Sequence, residues 1–170
     1  NYLVIVHEAI KAYFSGLNSV AVLSLYPVIE GALRKLQCKF GNQLENNISA
    51  KAFDKSFRHM IIDIGRNRLG TSDWHPGYHT YGDEELNFFI HLFPYCDLMN
   101  SFRIFVKDVL YMPTNNLTAE VSVNRHAVVH MLDGFSIRKS DFVRLFYCMT
   151  HIAFGECMFD KKVPLFWSGI

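Results

Sequence analysis

A chain of 170 residues, 50% hydrophobic and 15% aromatic, is long enough for one domain with a substantial core, and that composition excludes a disordered chain. Its formal net charge of +1 excludes a global basic field, so any RNA or DNA must be held by a local patch. Glu, Lys, Arg or His interrupts every apolar run before it reaches the roughly 18 residues of a membrane span, so no membrane partner is expected.

The dominant period is helical. Apolar residues recur at helix spacing from Leu3 to Phe14, around Glu8 and Lys11, and Gly16 ends the run. A second helix is predicted from Asn18 or Ser19 to Gly41, with Pro27 kinking or dividing it. "NQLENN" reads as a loop, and Ser49 or Asn47 caps a third helix that runs to about Arg68. The stretch "GTSDWHPGYHTYGDEE" has the Gly, Pro and polar aromatic content of a surface loop. Asp83 is the expected cap of a helix from Glu84 to Met112, broken or bent at Pro94 and stopped by Pro113. After the "PTNN" turn, a fifth helix is expected from about Thr118 to Leu132. "DGFSIRK" links it to a sixth, from about Ser140 to Phe154, and "KKVPLFWSGI" follows as a tail without helical pattern.

Strand signals are scarce, and no repeat or linker divides the chain. Residues 1–170 therefore read as one all-α domain, an up-and-down bundle with additional helices. The first residue is Asn1 rather than Met, which is read as a fragment of a longer chain with an upstream domain. Cys38, Cys96, Cys148 and Cys157 form no C-x-x-C pair and lie mainly in apolar helical surroundings. They read as reduced structural thiols in a cytoplasmic protein.

The stretch "VNRHAVVHMLDGF" sets Asn124, Arg125, His126 and His130 into an otherwise apolar run. In a helix, positions 126 and 130 stand nearly one above the other. Arg125 and His130 are about 140° apart around the axis, so a helix end or a second subunit is needed to aim both at one atom. An imidazole can take a proton from a ribose 2′-hydroxyl or give one to the leaving oxygen near neutral pH. A guanidinium pairs with phosphate oxygens and stabilises the charge that builds there. Read as structure alone, the histidines are half-buried packing residues and Arg125 pairs with Glu30 or another carboxylate.

"NRHAVVH" resembles the R-x4-6-H signature of the HEPN superfamily, with Arg125 as the arginine, His126 as the polar residue after it and His130 as the final histidine. The later "SIRKSDFVRLFYCMTHIAF" resembles the family's closing helix. "LYPVIEGALRKL" resembles the helix whose Glu faces the motif, which makes Glu30 the candidate orienter of Arg125. The resemblance implies an all-α homodimer whose two motifs meet in one cleft. It also implies metal-independent endoribonuclease activity without a cofactor, in toxin or antiphage settings with an antitoxin or regulatory partner. In other members the domain only dimerises a larger protein. Many relatives have Gly directly after the final histidine; Met131 stands there here, so the helix is expected to run another turn past His130.

Other constellations point to structure. His75 and His79 in "WHPGYHTY", with His91 and Cys96 further on, supply too few convergent ligands for zinc, and "HAVVH" lacks the Glu of H-E-x-x-H. Cys148 and His151 lie in an apolar stripe that quietens a thiol. Arg34, Lys35 and Lys39, like Arg66 and Arg68, read as solvated helix ends. Arg138 and Lys139, closest in sequence to the motif, are the candidates for gripping an RNA backbone, with Trp74, Tyr78 or Tyr81 stacking a base.

Overall fold

The structure, a computed structural model, describes residues 2–41, 49–68, 82–113, 115, 123–132 and 136–159. The "NQLENN" loop, Asn47, the loop bearing Trp74, His75, Tyr78, His79 and Tyr81, the expected helix start at Thr118 and the tail from residue 160 lie outside the described residues.

α1 (Tyr2–Phe14) and α2 (Asn18–Gly41) pack together as a hairpin turned by Gly16. The end of α1 is closed by Gly16 N–H to Tyr13 O at 3.1 Å and Leu17 N–H to Ala12 O at 2.9 Å, a pair of bonds that satisfies two of the helix's last carbonyls. That closure requires positive φ at one residue, and Gly16 supplies it at +79° with no Cβ to clash. α2 is one helix straight through Pro27, so the predicted division does not occur. Pro27 is exposed, and its missing N–H leaves the helix without the hydrogen bond to the Leu23 carbonyl.

Ser49 caps α3 (Ala50–Arg68) as expected, its Oγ accepting the Ala52 N–H at 3.1 Å. α4 (Asp83–Leu92) departs from expectation at its start, because Gly82 is the cap residue and Asp83 is already helical. The Asp83 carboxylate pairs instead with Arg58 of α3, and that hydrogen bond holds it below the usual carboxylate range. Arg66 is likewise no solvated helix end. Its Nε and Nη2 donate to the two carboxylate oxygens of Glu85 at 2.6 and 2.8 Å, and Glu85 is fully buried. Losing one partner of such a pair costs about 3–5 kcal/mol, so this fork locks α3 to α4. Beside it, a Cβ on Gly65 would stand 2.3 Å from the Phe89 ring, so the close crossing of the two helices depends on glycine.

Phe93 is extended (φ −125°, ψ 116°), and Pro94 opens α5 (Pro94–Phe105), as the restriction before proline predicts. α5 then widens into a π-helical turn, Val106–Leu110, closed by Tyr111 N–H to Val106 O at 3.0 Å. After α6 (Arg125–Val129) comes α7 (Lys139–Phe159), longer than predicted. Gly155 does not end it, since that position is an approach point where a Cβ would lie 2.8 Å from Met99 Cε.

α2 is the central helix, packed against α1, α3 and α7, while α3 also meets α4 and α5. Leu25, Ile29 and Leu33 of α2, Phe53 and Met60 of α3, Phe89, Met99 and Leu145 form the core, all at most 1% exposed. Each such side chain contributes about 1.5–3 kcal/mol of transfer free energy. Among the described residues the fold is all-α, with no strand, and no helix is long and apolar enough to cross a membrane. The four cysteines are unbridged. Cys96 and Cys148 are buried, whereas Cys38 is exposed.

Candidate functional site

Asn124 determines where the motif begins. It is fully buried and extended (φ −68°, ψ 122°), and its Oδ1 accepts the Ala127 N–H at 3.0 Å. Its Nδ2 donates to the carbonyls of Val109 at 3.2 Å and Met112 at 2.9 Å. One side chain thus caps α6 and ties it to the end of the π-helical turn. The helix expected from Thr118 to Leu132 is much shorter: within its described part, only Arg125–Val129 is α-helical.

The helix also fails to run past His130. Met131 N–H bonds Val128 O at 3.3 Å and Leu132 N–H bonds Ala127 O at 3.0 Å, the closure seen at the end of α1. Met131 takes the left-handed position with φ +48°, where glycine would be unstrained. Methionine here holds a conformation that glycine adopts without strain.

Arg125 and Glu30, 95 residues apart, are brought together. The guanidinium contacts Glu30 Oε2 through Nε and Nη2, both at 3.0 Å. Arg34, one turn along α2, donates to Oε1 of the same carboxylate at 2.8 Å. Glu30 is thus held between two guanidinium groups, with only 17% of its side chain exposed. The half-buried Tyr111 phenol is pushed above its ordinary range, by burial first and by the Glu30 charge second, with Arg125 and Arg34 opposing. It therefore stays protonated beside the ion pair.

His126 and His130 are both exposed and lie against each other, ring centroids 4.4 Å apart and tilted by 52°. This is the neighbouring placement that their spacing of four predicts. Arg125 borders two open cavities. One, of about 330 Å³, is lined by Leu110, Tyr111, Pro113, Asn115 and His126; the other, of about 630 Å³, by Tyr2, Pro27, Arg34 and Lys35. His126 shares a cavity with Arg125, and His130 stands behind it.

Arg138 and Lys139 are not brought to Arg125. The Arg138 N–H bonds the Asp141 carboxylate at 2.7 Å, and Lys139 Nζ lies 5.4 Å over the Tyr13 ring. Tyr13 and Tyr2 are eleven positions apart in α1, about 16 Å along the axis, and it is Tyr2 that borders the Arg125 cavity. At the other sequence candidates, burial pushes the Cys148 thiol up to about 12, and His151 stacks on Phe102 with its Nδ1 2.8 Å from the Tyr147 carbonyl. The buried Cys96 thiol faces the Ile61 carbonyl at 3.8 Å, while His91 is exposed on the last turn of α4. His75 and His79 lie outside the described residues, and among the described ones no three His, Cys, Asp or Glu converge as metal ligands.

Two members of the cluster were not predicted from sequence. Arg34 was legible as an i, i+4 partner of Glu30, whereas Tyr111 arrives through the π-helical turn and has no local signal. Compared with known proteins, the chain matches no family model, no curated protein and no solved structure. Chemically, the arrangement offers a guanidinium fixed by a carboxylate at the edge of two open cavities, with a neutral phenol and the His126 imidazole lining the smaller one and His130 against that imidazole. That set suits an anionic oxygen and a mobile proton.

Proposed function

We propose that this chain is a HEPN-like endoribonuclease domain. It acts without a metal as a cytoplasmic homodimer, in a toxin or antiphage setting. The observation that carries the reading is the Arg125–Glu30 pair, which joins two distant sequence segments beside His126 and His130. Glu30 occupies Nε and Nη2 of Arg125, leaving Nη1 for a phosphate oxygen.

In this mechanism His130, assisted by the adjoining His126, takes the proton from a ribose 2′-hydroxyl. The 2′-oxygen attacks phosphorus, the bond to the 5′-oxygen breaks, and an imidazolium returns a proton to that leaving oxygen. Arg125 stabilises the charge on the non-bridging oxygens, and Asn124 sets the turn from which Arg125 projects. The products are a 2′,3′-cyclic phosphate and a 5′-hydroxyl.

A second reading is favoured by Val129 and Met131, 40% and 70% exposed beside the histidines. On that reading the motif face is a non-catalytic dimer contact of a larger protein. Incubation of single-stranded RNA with the protein in excess chelator, with light scattering in parallel, separates the two. Nuclease function predicts cleavage that Arg125→Ala and His130→Ala both abolish while dimerisation persists. No cleavage, with dimerisation altered in both variants, overturns the proposal in favour of the contact.

A further inference from the structure

We infer that the RNA backbone lies in the larger cavity, between α1, α2 and α6, gripped by Lys35 and Arg34 with a base stacked on Tyr2, and not on Arg138 and Lys139. The inference rests on the ribonuclease reading and specifies how that site holds its strand.

Charge is the first argument. The cavity of about 630 Å³ is bordered by Arg34, Lys35 and Arg125 against a single carboxylate, Glu30. Two positive charges remain after pairing, in a protein whose formal net charge is only +1. This is the local patch that a nearly neutral protein needs to hold a polyanion. Lys35 is exposed and Glu30 is already shared by the two arginines, so the ammonium group is available to a phosphate.

Stacking is the second. Tyr2 is 43% exposed at the cavity edge, with Lys35 Nζ over one face of its ring at 5.2 Å from the centroid and its hydroxyl end against Gly31. A base stacks on the face that the ammonium leaves uncovered, with its phosphate on the charge.

Arg125 borders this cavity and also the one that contains His126, so a strand held by Lys35 meets the guanidinium before it meets an imidazole. Lys139 lies over Tyr13, about 16 Å along α1 from the Tyr2 that borders this cavity.

The test is fluorescence anisotropy of a labelled single-stranded RNA of mixed sequence. It uses the His130→Ala protein, so that the probe survives, across a salt series. Lys35→Ala should weaken binding and reduce the slope of log affinity against log salt by about one, with Lys35→Arg restoring both. Tyr2→Ala should weaken binding about 5- to 100-fold while Tyr2→Phe retains it. Unchanged binding in Lys35→Glu and Tyr2→Ala, with loss in Arg138→Ala/Lys139→Ala, overturns the inference and leaves the ribonuclease reading standing. A free mononucleotide bound as tightly as the RNA makes the cavity a nucleotide site and overturns the strand assignment. Failure of the parent protein to bind any RNA removes the ribonuclease reading, and the inference with it.

Discussion

Replacing Met131 with glycine should stabilise the protein. An L-residue held in the left-handed region loses about 1–2 kcal/mol relative to its favoured conformations, and Met131 is held there at φ +48°. Glycine removes that strain but adds about 0.5–1 kcal/mol of unfolded-state entropy to be overcome. Met131 is 70% exposed, so little apolar burial is lost, and the net gain is about 1 kcal/mol. For a chain of this size that raises Tm by about 2–4 °C. The end of α1 supplies the mirror experiment. Gly16 has the same closure at φ +79°, and a Cβ there meets nothing within 4 Å, so Gly16→Ala should cost a similar amount through the backbone alone. Urea unfolding at constant m-value measures both. A lower midpoint for Met131→Gly, or an unchanged one for Gly16→Ala, would refute the reasoning.

Two further outcomes follow from buried groups. Asn124→Asp keeps a good cap acceptor but removes both donors and sets a carboxylate against the Val109 and Met112 carbonyls, so it should destabilise by about 2–4 kcal/mol. A chemical melt within 0.5 kcal/mol of the parent, taken as an approximate error limit, would contradict the tether. Cys148 should resist alkylation in the native protein while the exposed Cys38 reacts, which mass mapping after brief iodoacetamide treatment reads directly. The unfolded thiol ionises near its ordinary 9.0, and the folded one keeps its proton to about 12, so the stability owed to Cys148 is present below pH 9 and lost as pH rises through that window. Prompt native labelling of Cys148 would contradict its burial.

The features legible in the sequence were those fixed by neighbours along the chain. Gly16 ends α1, Ser49 caps α3 and Pro94 breaks the following helix, because each acts through its own backbone or hydroxyl. Glu30 and Arg125 were legible as a pair, and His126 and His130 as neighbours on one helix face, one from the motif setting and the other from helical spacing. The length of α6 was not legible. Its start depends on Asn124 bonding carbonyls 12 and 15 residues earlier, and its end on a methionine in a conformation that sequence patterns associate with glycine. Asp83 looked like a cap because its partner Arg58 stands 25 positions away, and Arg66 looked solvated because Glu85 stands 19 away. Nearness in sequence also misled: Lys139 follows the motif closely, yet α7 starts over Tyr13, at the other end of α1 from Tyr2.

Attack by a ribose 2′-hydroxyl at the Arg125 site is tested most directly with a single cleavable RNA and its copy carrying one 2′-deoxynucleotide at the scissile position. Both are incubated in excess chelator with the parent protein and with Arg125→Ala. The proposal predicts cyclic-phosphate ends from the RNA alone, none from the deoxy copy, and none from either with Arg125→Ala. Equal cleavage of the two substrates, or undiminished cleavage by Arg125→Ala, would contradict it.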